Sequence, residues 1–114
     1  MIDYDRNIVA ALNNILPTYY EMTLTQDSET PCISYMEKNN IATESGDTLG
    51  YSRLSYQVKV WATDKATIQK YAVMVDAAMR LLGFKRTASG ELYDNNSSMI
   101  QKIMSFEALG VESF

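Results

Sequence analysis

Few side chains in this sequence could perform catalysis, and one of the usual types is missing. The 114 residues contain no histidine and a single cysteine, Cys32. Without histidine the chain lacks the base of a Ser-His-Asp or Cys-His nucleophile and the usual imidazole ligand of zinc. Cys32 has no cysteine or histidine companion, so we expect a small buried thiol that forms no internal disulfide and holds no metal.

Carboxylates are the remaining candidates for acid-base chemistry, because two at the right separation can cleave a glycosidic bond. The candidates are Glu37, Asp47, Asp64, Asp76 and Glu91. They stand in predicted turns or on the outer faces of predicted helices, and we interpret them as solvated surface. Residues 39–47 offer oxygen ligands without the spacing of a calcium loop. Neither a dinucleotide fingerprint nor a phosphate loop occurs. We therefore predict no catalytic residue, no cofactor and no metal.

Length and composition indicate one soluble domain over residues 1–114. The chain is 46% hydrophobic and 21% charged, as in ordinary globular proteins. No run reaches the roughly 20 apolar residues of a membrane-spanning helix, and the first residues do not resemble a secretory signal. We expect no membrane association and synthesis in the cytoplasm. The net charge of −4, with scattered basic residues, argues against a surface that grips nucleic acid.

Two segments have the apolar period of amphipathic helices. Over residues 3–16 the stripe comprises Ile8, Val9, Leu12, Ile15 and Leu16. Asp3 is the predicted N-cap, and Pro17 ends this helix. A longer helix begins after Thr63 or Asp64 and ends before Gly83, the expected C′ residue. Its predicted stripe comprises Ile68, Tyr71, Ala72, Val75, Ala78, Met79 and Leu82.

Strands are predicted at 18–24, 32–41, 51–62 and 99–109, and a hairpin of two short pieces at 84–88 and 92–94 turns at Ser89-Gly90. Residues 42–50 have loop composition, and 110–114 form a tail. The clearest alternation lies in 51–62. One face carries Leu54, Tyr56, Val58, Val60 and Ala62, and the other carries Tyr51, Arg53, Ser55, Gln57, Lys59 and Trp61.

The resulting order is α-β-β-β-α-β-β, with two or three strands after the second helix. Consecutive strands with short connections predict an α+β fold, in which an antiparallel or mixed sheet of about five strands carries both helices on one face. The polar side of 51–62 then faces water or a partner. Because tyrosine and tryptophan are common at protein interfaces, we predict subunit contacts at Tyr51, Arg53, Lys59 and Trp61.

Several segments of the sequence together resemble a known family. They are Leu16-Pro17-Thr18-Tyr19-Tyr20, Pro31-Cys32-Ile33-Ser34-Tyr35 with Asn39-Asn40, Gly46-Asp47-Thr48-Leu49-Gly50-Tyr51-Ser52, Tyr56-Gln57-Val58-Lys59-Val60-Trp61 and Leu81-Leu82-Gly83-Phe84. In this order, and over nearly the whole chain, the sequence resembles the tail-completion or tail-terminator proteins of long-tailed siphophages. These segments are structural and include no catalytic motif.

The resemblance implies a virion protein without enzymatic activity or cofactor. Six subunits usually form a ring that caps the tail tube and joins it to the head-closure or connector protein, and DNA passes through without specific binding. In relatives a loop between early strands reorders on assembly. Here that predicted mobile loop is residues 42–50, which include Thr43, Glu44, Gly46, Asp47, Leu49 and Gly50. Assembly would take place in the host cytoplasm.

Two other classes stay open on the residues alone. Another phage neck or tail protein, such as a head-closure or tail-tube subunit, would also present a small strand-rich domain to ring neighbours. A small ligand-binding domain or enzyme is the second alternative. A size measurement with and without tail tubes separates the phage readings from the last one.

Overall fold

The computed structural model describes residues 4–20, 30–43, 50–94 and 98–112. Its elements follow the predicted order: α1 (Asp5–Asn13), β1 (Thr18–Tyr20), β2 (Cys32–Thr43), β3 (Gly50–Ala62), α2 (Lys65–Leu81), β4 (Lys85–Asp94) and β5 (Met99–Glu112). The five strands form one sheet in the order β1-β2-β3-β5-β4. Only β1 and β2 pair in parallel, and the other pairs are antiparallel. The predicted α+β class is confirmed.

Helix α2 begins and ends at the predicted signals. Asp64 is the N-cap, in an extended conformation, and its side chain accepts a 2.9 Å hydrogen bond from the Thr67 backbone N–H. At the other end, Gly83 adopts φ +93°, which glycine tolerates without strain. The N–H groups of Gly83 and Phe84 donate to the carbonyls of Arg80 and Met79. This Schellman arrangement satisfies carbonyls that a helix end leaves unpaired.

Helix α1 is shorter than the sequence predicted. Its N-cap is Tyr4, which makes no side-chain capping bond. The predicted cap, Asp3, lies outside the described residues. After α1, the Asn13 side chain accepts a hydrogen bond from the Thr18 N–H at 3.0 Å, and the Pro17 carbonyl accepts one from the Ile33 N–H at 2.9 Å. These two bonds fix the connection between α1 and the parallel β1–β2 pair.

Both helices pack on one face of the sheet, and the core lies between them. We call this face the inner face. The buried residues of the sheet there are Ile33, Leu54, Tyr56, Val58, Val60, Ala62, Met104 and Phe106. The helices contribute Ile8, Leu12, Ile68, Ala72, Val75 and Met79, which belong to the predicted stripes. Phe84 closes one end with edge-to-face contacts to Tyr4 and Tyr56, with ring centres 5.7 and 5.6 Å apart.

The prediction of a hairpin at Ser89-Gly90 is wrong. Residues 85–94 form one strand, β4, which pairs with β5 from Lys85 opposite Glu107 to Asp94 opposite Met99. The only irregularity is a register shift between Arg86 and Ala88. The long neighbouring strand supplies ladder partners along the whole of β4, and this pairing overrides the local turn tendency of Ser-Gly.

Three predicted boundaries also move. The predicted tail is part of β5, since Gly110 pairs with Ser52 and Glu112 pairs with Gly50. Strand β2 continues to Thr43, so the predicted 42–50 loop loses both ends to strands. Strand β1 is described only to Tyr20, and the rest of the predicted 18–24 strand lies outside the described residues.

Candidate interface on the outer face of the sheet

The sheet has a second face, opposite the helices, which we call the outer face. On β3 it carries the predicted polar series, and the strand register places β5 and β4 side chains beside it. The described side chains of this face are Tyr19, Cys32, Ser34, Met36, Arg53, Ser55, Gln57, Lys59, Trp61, Lys85, Ala88, Leu92, Met99, Gln101, Ile103, Ser105 and Glu107. Neither helix packs against this face, because both contribute to the core on the other side.

Trp61 is fixed on the outer face by a buried hydroxyl. Its indole Nε1–H donates a 2.9 Å hydrogen bond to Ser34 Oγ, and Ser34 is fully buried. Trp61 pairs with Cys32 in the ladder, so the indole reaches one step diagonally to Ser34. Lys59 Nζ lies 6.0 Å from the centre of the Trp61 ring, at the outer limit of a cation–π contact. The half-buried indole is therefore a positioned side chain rather than a free one.

Three of the four predicted contact residues lie in one row on this face. Arg53 is exposed, while Lys59 and Trp61 are half-buried. At a rise of about 3.4 Å per residue, Arg53 and Trp61 stand roughly 27 Å apart along β3. The backbone of Tyr51 pairs with Thr43 and Val111, and its side chain lies outside what the structure describes.

The predicted mobile loop is described only at its ends. Thr43 is the last residue of β2, and Gly50 is the first of β3, where it pairs with Glu112. Glu44, Gly46, Asp47 and Leu49 lie outside the described residues. The loop therefore stays a prediction from the sequence.

Two apolar residues of this face were missed by sequence reasoning. Leu92 is 58% exposed. The register places it opposite Gln101 of β5, which in turn lies opposite Trp61 of β3. Ile103 is half-buried and lies opposite Lys59. Alternation along β4 and β5 was the available signal: it placed Ile103 opposite the face of Met104 and Phe106, whereas the predicted hairpin at Ser89-Gly90 obscured Leu92. These residues widen the apolar area beside Trp61.

The Tyr56 hydroxyl and the carboxylates of Asp5 and Glu37 lie close together near the start of α1. The Tyr56 hydroxyl donates to Asp5 Oδ1 at 2.5 Å and lies 3.0 Å from Glu37 Oε2. Burial raises the pKa of Tyr56 far above its usual range, and the hydrogen bond to Asp5 and both carboxylate charges add to this. Since the phenol stays protonated at neutral pH, it joins α1, β2 and β3 as a donor and not as a base.

The remaining candidate carboxylates that the structure describes make ion pairs or cap a helix. Asp76 Oδ2 lies 3.3 Å from Arg80 Nε, and its other oxygen lies 3.6 Å from Arg86 Nη1. Glu91 lies 3.4 Å from Lys102 Nζ. The hydrogen bonds from Thr67 lower the pKa of Asp64. Asp47 lies outside the described residues. These contacts are typical of structural surface groups.

Cys32 is buried, as the sequence predicted. Burial raises the pKa of its thiol to about 11, so the nucleophilic thiolate is scarce at neutral pH. In the described part of the chain, no three His, Cys, Asp or Glu side chains are grouped so that they could hold a metal ion. The helices that the structure describes are too short or too polar to cross a membrane.

The sequence matched none of the protein-family models with which it was compared, and a search of curated proteins found no relative.

Proposed function

We propose that this chain is a structural subunit of a tailed phage: a ring-forming tail terminator that caps the tail tube and joins it to the head connector. The proposal begins from the segments that resemble siphophage tail-completion proteins. Two of these segments lie at junctions between elements of the fold. Pro17 and Ile33 join β1 to β2 through a backbone hydrogen bond, and Gly83-Phe84 closes α2.

The observation that carries the proposal is the outer face of the sheet. No described helix covers it along β3, β5 and β4, and near the end of the central strand β3 the Trp61 indole is held by a hydrogen bond to Ser34. Tryptophan and arginine are the side chains that most often dominate binding energy at protein interfaces. Trp61 would anchor the contact with a neighbouring subunit, with Arg53 and Lys59 along the same strand. A ring follows when such a contact is head-to-tail and its rotation closes.

Net charge fits passage of DNA through such a ring. Six subunits at −4 each give a formal charge of −24. Negative charge near the bore would repel the phosphate backbone, so DNA would pass without binding. The role needs no bond making or breaking, and we assign no catalytic residue.

Capping of tail tubes by purified protein tests this proposal. Particles that lack the subunit should show unjoined heads and overlong tails in electron micrographs, and added wild-type protein should bind the tube ends as rings. Trp61→Ala should remain folded by circular dichroism but fail to cap. Val73→Ala, which shortens an exposed side chain on the opposite side of the domain, is the matched control and should cap normally.

Two results would refute the proposal. A wild-type protein that never binds tail tubes has no terminator role. A Trp61→Ala protein that unfolds would instead make Trp61 a core residue and remove the outer face as the ring contact.

A further inference from the structure

The strand β4, at one edge of the sheet, contributes no side chain to the core. Every residue from Lys85 to Tyr93 is exposed, and the core that the structure describes includes none of them. Among the described strands, β4 pairs only with β5. A strand is usually held by side chains buried on at least one face, because apolar burial is the main favourable contribution to folding. Backbone hydrogen bonds and charged contacts must therefore hold β4.

A cavity of about 130 Å³ lies between α2 and the β4–β5 pair. Its walls include Ala72, Val73 and Asp76 of α2, Arg86 and Ser89 of β4, and Met104 of β5. Side chains that line an unfilled space lack packing partners on that side. The inner side of β4 therefore gains little from packing against the helix.

Two carboxylates connect β4 to its neighbours through ion pairs, which we call the latch. Asp76 of α2 pairs with Arg86 of β4, with Oδ1 and Nη1 3.6 Å apart. Glu91 of β4 pairs with Lys65, the first residue of α2, at 3.9 Å and with Lys102 of β5 at 3.4 Å. The register places Arg86 and Glu91 on the inner face, towards α2. The latch thus joins both halves of β4 to the helix.

The contact between Asp76 and Arg86 is poorly satisfied when β4 is closed. Asp76 Oδ1 is sealed from solvent and accepts no hydrogen bond from the described residues. A buried acceptor of this kind has lost its water without a replacement. If β4 moves away, Asp76 Oδ1 regains water, which offsets part of the lost attraction. The Arg86 side chain is 42% exposed, and ion pairs that keep such exposure are individually weak. Opening of β4 should therefore cost less than opening of a strand with buried side chains.

We propose that β4 is a strap, which opens from α2 and β5 as one unit while the rest of the domain stays folded, and that the latch holds it closed. Segments with few buried contacts open at a lower free energy than the whole domain. Opening leaves the edge of β5 unpaired beside Met104 and Phe106. The inference does not rest on a phage role, and its test involves no tail tubes, so the two proposals fail separately.

Hydrogen exchange of backbone amides in the purified protein tests the strap, under conditions where closing is faster than exchange. In wild type, the β4 amides that bond to β5 should share one protection factor, about tenfold or more below that of the β3 amides. Leu54→Ala changes the core at a residue whose ladder partner, Ala108, lies beyond the end of β4. It should accelerate β3 exchange by about thirtyfold or more. Exchange of β4 should not change, because the cavity destabilises the closed and the open state equally.

Arg86→Glu tests the latch, because it places a second carboxylate beside Asp76. Exchange of β4 should rise about tenfold. Arg6→Glu, the matched control, makes the same charge change at an exposed residue of α1 and should leave β4 exchange unchanged. Glu91→Lys, which puts a third ammonium beside Lys65 and Lys102, should act in the same direction as Arg86→Glu.

Salt provides a measurement that needs no substitution. Exchange of β4 in wild type should rise when NaCl is raised from about 0.05 to about 1 M, because the attraction within the latch is screened. The rise should be smaller in Arg86→Glu, where salt also screens a repulsion.

The strap is overturned if β4 and β3 share one protection factor, or if Leu54→Ala accelerates both, because β4 then opens only when the whole domain unfolds. Protection that rises steadily from the ends of β4 to its middle indicates fraying and also overturns it. The latch is overturned if Arg86→Glu and Arg6→Glu have equal effects on β4 exchange, or if wild type and Arg86→Glu respond equally to salt.

Discussion

The two faces of strand β3 differ in how deeply their side chains are buried. On the inner face, Leu54, Tyr56, Val58 and Val60 expose none of their surface. On the outer face, the alternating residues are half-buried or exposed and include Arg53, Lys59 and Trp61. Both faces share one backbone and one set of ladder partners. The difference therefore comes from what covers each face, namely two helices on the inner face and, among the described residues, no helix on the outer face.

This contrast separates stability from recognition along a single strand. Apolar burial is the main favourable contribution to folding, and it is concentrated on the inner face. The outer face can carry charges and hydroxyls without cost because they keep water or pair locally. Among its described side chains one polar residue is fully buried, Ser34, and the Trp61 indole N–H donates a hydrogen bond to its hydroxyl. Substitutions on the inner face should therefore act mainly on stability, and substitutions on the outer face mainly on binding.

The largest expected effect comes from the core. Leu54→Ala should lower the free energy of unfolding by about 2–5 kcal/mol, because it removes buried methyl groups and leaves a cavity under the helices. Leu92→Ala makes the same change at an exposed leucine and should cost less than about 0.5 kcal/mol. Urea unfolding followed by circular dichroism measures both. Equal losses in the two variants would contradict the division between the faces.

A smaller loss of stability is expected at the buried Ser34 hydroxyl on the outer face. Trp61→Phe removes the indole N–H and leaves Ser34 Oγ buried without this donor, which should cost about 1–3 kcal/mol. Ser34→Ala in the Trp61→Phe background removes the stranded hydroxyl and should recover part of that loss. The coupling is measured by a double-mutant cycle of urea unfolding. Strictly additive effects would show that the hydrogen bond does not link the two residues energetically.

Much of the fold could be predicted because its signals are local. The alternation in 51–62 identified the buried face of β3, and the helical period from Ile68 to Leu82 identified the core side of α2. The Asp64 cap and the Gly83 terminus also follow from residue types at fixed offsets. At the candidate interface, the same alternation placed Arg53, Lys59 and Trp61 in one row on one face.

The features that were missed depend on contacts between distant parts of the chain. Ser89-Gly90 resembles a turn until β5 pairs along it, and only then does Leu92 join the face of Trp61. The Tyr56 hydroxyl meets Asp5, 51 residues away, a contact that no local pattern indicates. The exposed apolar residues Val73, Met74 and Leu81 on the other side of α2 were not singled out either, although they recur at helical spacing.

The smallest effect on stability is expected for a polar group on the inner face, the Tyr56 hydroxyl. Tyr56→Phe should lower the free energy of unfolding by about 1 kcal/mol at pH 7, because Asp5 and Glu37 lose a donor but can regain water.

The raised pKa of Tyr56 in the folded protein gives a second signature. Its contribution to stability is complete below pH ~10, where unfolded tyrosine begins to ionise, and falls as pH rises further. Wild type should therefore lose stability more steeply than Tyr56→Phe between about pH 10 and 11, as measured by urea unfolding at each pH. Parallel losses in the two proteins would mean that Tyr56 ionises in the folded state as easily as in the unfolded chain, and that burial and the carboxylates of Asp5 and Glu37 do not hold its proton.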